Sequence, residues 1–203
     1  MAERERALRR GRRLEVLTIA YNSLEGIISV GAGMAAGSIS LVGFGVDSAI
    51  EVTSAAALLW RMDHEGDAER RERLALRIVG VCFLALAVYV GCEAAASLLW
   101  RRAPERSLVG IVVAVASLIV MPLLARAKRR VAVALDSAAM QADSRQTDFC
   151  TYLSAILLGG LALHAAFGWW WADPAAALAM APIIAREGVG AFRGRSCCGC
   201  SCG

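Results

Sequence analysis

Residues 39–60 read Ile39-Ser40-Leu41-Val42-Gly43-Phe44-Gly45-Val46-Asp47-Ser48-Ala49-Ile50-Glu51-Val52-Thr53-Ser54-Ala55-Ala56-Ala57-Leu58-Leu59-Trp60. The run is apolar almost throughout and does not alternate, which excludes a half-buried strand. About twenty such residues in a helix cross the hydrocarbon core of a bilayer. Two carboxylates sit in the middle of the run. Asp47 and Glu51 are i, i+4, so both lie on one helical face, one turn apart. A carboxylate at that depth costs several kcal/mol, faces the interior of a bundle and marks function by default.

Working outward, the same apolar length recurs. Span 1 covers about 14–35, span 2 about 39–60 and span 3 about 74–100. Span 4 covers about 108–125 and span 5 about 138–167. Span 6 follows Asp173-Pro174 and ends near Arg186. Pro174 suits a first helical turn. The reading is an all-α, polytopic membrane protein with six transmembrane helices in one bundle. It divides into a basic tail (1–13), the six-helix domain (14–190) and a Cys-rich tail (191–203). The Ala32-Gly33-Met34-Ala35-Ala36 stretch imitates a signal cleavage site. However, the apolar run before it exceeds the ~7–15 residues of a signal core, so span 1 is read as retained.

Composition agrees. The 203 residues are 58% hydrophobic, yet 20% are charged. An average soluble chain is about 45–50% apolar. Such a chain leaves no room for a large soluble catalytic domain, and its hydrophobicity excludes disorder. Most of the charge marks the ends of spans. Six Arg lie in residues 1–13, four in 61–73, four Lys or Arg in 126–130 and three Arg in 186–195. The opposite side carries only Arg101, Arg102 and Arg106. This asymmetry places both termini in the cytoplasm, and a bacterial inner (plasma) membrane is the expected location. Trp169, Trp170 and Trp171 then fall at the outer interface. Because the basic residues flank apolar spans, no nucleic-acid partner is expected.

Span 5 is the least apolar. Asp143, Gln146 and Cys150 form one stripe at i, i+3, i+7. Arg145 and Asp148 lie on roughly the opposite face and can pair. The stripe is free to face Asp47 and Glu51. Two helices that each give two ligands a turn apart can build a four-coordinate cation site from oxygen and sulfur. The competing reading is a set of interhelical hydrogen bonds that only hold the bundle together. Glu25 with Asn22 in span 1, and Glu93 in span 3, add further polar groups.

These residues resemble the transmembrane domain of the cation diffusion facilitator (cation efflux) family. The resemblance rests on Tyr21-Asn22-Ser23-Leu24-Glu25-Gly26 and Gly37-Ser38-Ile39-Ser40-Leu41. It extends through Gly43 to Glu51 with Arg61, Ala142-Asp143-Ser144-Arg145-Gln146-Thr147 and Trp171-Ala172-Asp173-Pro174. It implies export of a divalent metal, mainly zinc, from the cytoplasm in exchange for protons, by a homodimer that alternates between inward-open and outward-open states. Cadmium, cobalt, nickel, iron or manganese are alternative cargoes, and no resident cofactor is implied. The family pairs two residues four apart on span 2 with two on span 5, which fall here on Asp47, Glu51, Gln146 and Cys150. Asp143, Glu25 and Asn22 are candidate accessory or proton-relay groups. Gln146 stands where a His is usual, Cys150 where a carboxylate is usual, and Glu51 where Asp is common. The usual soluble C-terminal domain is not seen in the sequence, so a homodimer is expected to use its transmembrane helices.

The chain ends in Cys197, Cys198, Cys200 and Cys202. In a reducing cytoplasm these stay thiols, and short Cys-rich tracts suggest metal binding. A solvated, disordered end is the alternative. Asp63-His64-Glu65-Gly66-Asp67 is a candidate second metal loop or simply a charged surface loop. Cys82 and Cys92 are expected to pack as small apolar residues. An intramembrane enzyme would need a nucleophile beside a base. Neither His64 nor His164 adjoins a Ser or Cys motif, so no catalytic activity is expected. The rival to transport is a non-transporting membrane metal-binding or regulatory protein.

Overall fold

The computed structural model describes residues 2–63, 68–101 and 105–193. They form six α-helices: α1 (Ala2–Ala36), α2 (Ile39–Asp63), α3 (Ala68–Leu99), α4 (Leu108–Leu135), α5 (Ala138–Phe167) and α6 (Ala172–Phe192). Among the described residues there is no strand. Among the described residues, three stretches are long and apolar enough to cross a membrane: Ile39–Trp60, Leu108–Leu135 and Asp143–Phe167. The apolar part of α3 is the shorter Phe83–Leu99. The Cys tail and the His64–Asp67 loop lie outside the described residues.

Several helices run past the spans read from hydropathy. α1 begins at Ala2 and α4 continues to Leu135. Hydropathy marks where apolar character ends, whereas the backbone ladder continues through residues such as Arg126 and Lys128, which are good helix formers. α4 and α5 are separately capped. Ser107 accepts from Gly110 N and Ser137 from Met140 N, each through its hydroxyl oxygen. These bonds satisfy donors that a helix start leaves open.

The helices pair as α1 with α2, α3 with α6 and α4 with α5; α1 also packs on α4. α2 is the hub, touching α1, α3, α5 and α6. Two glycines permit the tight α1–α2 hairpin. Gly37, at φ 65°, ends α1, and the Ser38 N–H returns to the Gly33 carbonyl at 2.9 Å. Farther along, a Cβ on Gly45 would stand 2.8 Å from the Val30 nitrogen and 2.9 Å from Ser29 Cβ. Small residues let membrane helices approach this closely.

The apolar core joins Leu41, Phe44 and Ile50 of α2 to Val90 of α3, Met121 of α4, Leu153 and Leu157 of α5 and Met180 of α6. Phe83 and Phe149 meet edge to face, with ring centroids 6.5 Å apart. Cys92 departs from its expected core placement: it is exposed on α3. Trp60, Trp100, Trp169 and Trp171 are all exposed near helix ends. Trp169 stacks on Trp171.

One contact ties α6 to the α1–α2 turn. Asp173 is fully buried. Its carboxylate accepts from Ser38 Oγ at 2.6 Å, from Ile39 N at 3.1 Å and from Ser40 Oγ. Asp173 therefore caps the N-terminus of α2, a different helix from its own, where the backbone donors and the helix dipole favour an anion. His164 has a partner that its sequence context did not reveal: Nδ1 lies 3.1 Å from the Trp169 carbonyl.

Candidate metal centre

α2 and α5 lie side by side. At 1.5 Å per residue, Asp47 and Glu51 lie about 12 and 18 Å along α2 from Ile39, near its middle. Both are buried, as is Cys150. The Cys150 thiol stands close enough to interact with both carboxylates. Gln146 is half-buried, and its Nε2 has no hydrogen-bond partner. The structure thus brings Asp47, Glu51 and Cys150 together. They are not drawn into a finished cage: among the described residues, no group of three or more His, Cys, Asp and Glu is close enough to hold an ion as it stands.

Glu51 is oriented by a residue that the stripe argument missed. Thr147 Oγ1 donates to Glu51 Oε1 at 2.7 Å, while Oε2 is unpartnered. Thr147 lies one position after Gln146 in a quoted motif, but a lone Thr in a span usually satisfies its own helix. Here its hydroxyl also lies 3.3 Å from the Asp143 carbonyl, four residues back.

Asp143 does not join Asp47 and Glu51 directly. Its Oδ2 lies 2.5 Å from Lys128 Nζ, and its Oδ1 is 3.4 Å from Ser54 Oγ. Lys128 is also 3.2 Å from Glu15 Oε2. That contact is an ion pair, and the other oxygen, Oε1, has no hydrogen-bond partner. Lys128 counts in sequence only as one of the positive charges at a span end, and Glu15 stands at the start of span 1 with no motif to mark it. Asp148 is held by Arg129 of α4, a partner from another helix that spacing within α5 does not reveal.

Beside Asp47, across the α1–α2 interface, Glu25 takes a hydrogen bond from Ser48 Oγ at 2.9 Å. Its second oxygen is unpartnered, as are both polar atoms of Asn22 and the hydroxyl of Ser29. Glu15, Thr18, Asn22, Glu25 and Ser29 are all buried. Their spacing of three and four puts them on one face of α1. Ser154 donates to Ser117 at 2.9 Å, joining α5 to α4 at a further buried polar contact.

The result is a column of buried polar groups among α1, α2, α4 and α5. Glu15, Lys128 and Asp143 stand at one end, and Glu51, Asp47 and Cys150 in the middle, with Glu25 level with them on the facing α1 and Asn22 one turn before it. The column holds five buried carboxylates against one buried ammonium. Uncompensated buried charge costs several kcal/mol per ion. A path with this composition favours cations or protons.

Residues 16–194 match the cation efflux transmembrane domain. That match covers most of the chain, which belongs to the cation efflux family of membrane transporters. A protein of Synechocystis sp., named only as an uncharacterized transporter, is 25% identical over 160 residues, covering 74% of this chain and 52% of that protein. The chain thus spans about half the length of that relative.

Proposed function

We propose that all six helices cross the membrane and that the protein exports a divalent transition metal, zinc or a close relative, from the cytoplasm in exchange for protons. The observation that carries this reading is the charge of the column, five buried carboxylates with one lysine. Asp47, Glu51, Gln146 and Cys150 are the proposed ligands. Zinc accepts carboxylate oxygen and thiolate sulfur. A thiol must lose its proton to bind, so loading and proton release are linked at Cys150. Binding closes these ligands on the ion, consistent with helices rocking around a midplane site. Glu25 and Asn22 offer the next oxygen ligands along α1. Asp143 acts nearer the cytoplasmic end. In this reading both termini face the cytoplasm of a bacterial cell, and a homodimer forms through the transmembrane helices.

Flux into liposomes with an imposed pH gradient tests the proposal. Zinc, cadmium, cobalt, nickel, iron and manganese are supplied one at a time. Gradient-dependent uptake of zinc or a neighbour, weakened by Cys150→Ala, is the expected result. Metal binding without flux of any cation would favour the non-transporting, metal-binding alternative.

A further inference from the structure

At the end of the column, two carboxylates from different helices close on one ammonium. Lys128 Nζ lies 2.5 Å from Asp143 Oδ2 and 3.2 Å from Glu15 Oε2. Lys128 and Glu15 are fully buried, and Asp143 is nearly so. Glu51 is the next acid in the column, near enough to interact with Lys128, and its Oε2 is unpartnered. Glu15 Oε1 has no partner, so a fully buried carboxylate here keeps one unused ligand oxygen.

An ammonium held by two carboxylates has the place and charge of a bound cation. It is also tethered by a flexible four-carbon stem, which lets it withdraw. One ammonium can balance only one of these acids, whereas a divalent ion balances both once they are ionised. The donors are all carboxylate oxygens, which suit hard divalent ions.

We infer that Glu15 and Asp143 form a second cation-binding position, on the cytoplasmic side of Asp47 and Glu51, and that Lys128 occupies it until a metal ion displaces the ammonium. This rests on the reading of the chain as a metal transporter. Lys128 then offsets part of the negative charge at this end of the column between cargoes and sets the affinity of the first station.

The test uses Mn²⁺, which favours oxygen over the thiols of Cys150 and the tail. Mn²⁺ binding to the purified full chain in detergent is followed by the paramagnetic resonance of the free ion, in an Asp47→Asn background. Adding Lys128→Met should tighten binding about tenfold or more, because apparent affinity falls with the fraction of time a competitor holds the site. Adding Glu15→Gln as well should abolish the gain. Unchanged Mn²⁺ binding on Lys128→Met would overturn the inference. If the Lys128→Met chain unfolds without metal, Mn²⁺ should restore its unfolding temperature, and failure to do so would also overturn it. No gradient is involved, so a failure of transport shows only in liposomes and a failure of this site shows only here.

Discussion

Replacing Asp173 by alanine removes the acceptor of three donors at once. Ser38 Oγ, Ile39 N and Ser40 Oγ all donate to this fully buried carboxylate. The two hydroxyls lie 3.4 Å apart and can turn toward each other. The Ile39 N–H, at the start of α2, has no such alternative. Leaving one buried donor unsatisfied costs about 1–3 kcal/mol. Losing an anion at a partly buried helix N-terminus adds about 1 kcal/mol. Hydroxyl bonds to a charged acceptor contribute about 1.5–3 kcal/mol each, partly recovered when the serines pair. Asp173→Ala should therefore destabilise the protein by roughly 3–5 kcal/mol. Asp173→Asn keeps one carbonyl oxygen and should cost about 1–2 kcal/mol. Equilibrium unfolding in mixed detergent–SDS micelles measures both, with Trp fluorescence reporting on the adjacent Trp169 and Trp171. The order wild type, Asn, Ala is expected. Variants equal to wild type would refute the cap, and an Asn variant as unstable as Ala would refute the counting of acceptors.

Thr147→Val removes the hydroxyl donated to Glu51 at 2.7 Å. Losing a bond to a charged group costs about 1.5–3 kcal/mol, so metal uptake efficiency should fall by about tenfold or more. Retained uptake would mean that Thr147 does not position Glu51. Gly45→Ala should lower stability by about 1–3 kcal/mol, because its Cβ would meet the α1 backbone at Val30. An unchanged unfolding curve would mean that the α1–α2 contact is looser than described. Gln146→His puts an imidazole where an amide Nε2 is unpartnered. Half-saturation by zinc should drop by about tenfold, equivalent to ~1.4 kcal/mol. Calorimetry that shows no gain would place Gln146 outside the coordination shell.

The parts of the fold carried by local pattern were legible. The α2 run, its two carboxylates on one face and the boundaries of α5 follow from length and helical period alone. The pairing of α5 with α2 at Cys150 also followed from a stripe of residues on one face. What escaped was interaction between helices far apart in sequence. Lys128 sits among Arg126, Arg129 and Arg130, and a count of positive charge treats all four alike. Only packing distinguishes the buried Lys128, facing Glu15 and Asp143, from Arg129, which is half-exposed and holds Asp148. Asp173 was readable as a helix start before Pro174. Its role as a cap on α2 depends on Ser38 and Ser40, more than 130 residues earlier. Asp143 shares a stripe with Cys150, yet a lysine on α4 takes it.

In the proposed transport cycle Asp47 holds the ion in the middle of the bundle. That role is tested most directly by zinc flux in liposomes holding a pH gradient, comparing wild type with Asp47→Ala at matched folded protein. Wild type should take up zinc in a gradient-dependent way, and the variant should lose that uptake. Equal flux from the two proteins would contradict this role for Asp47.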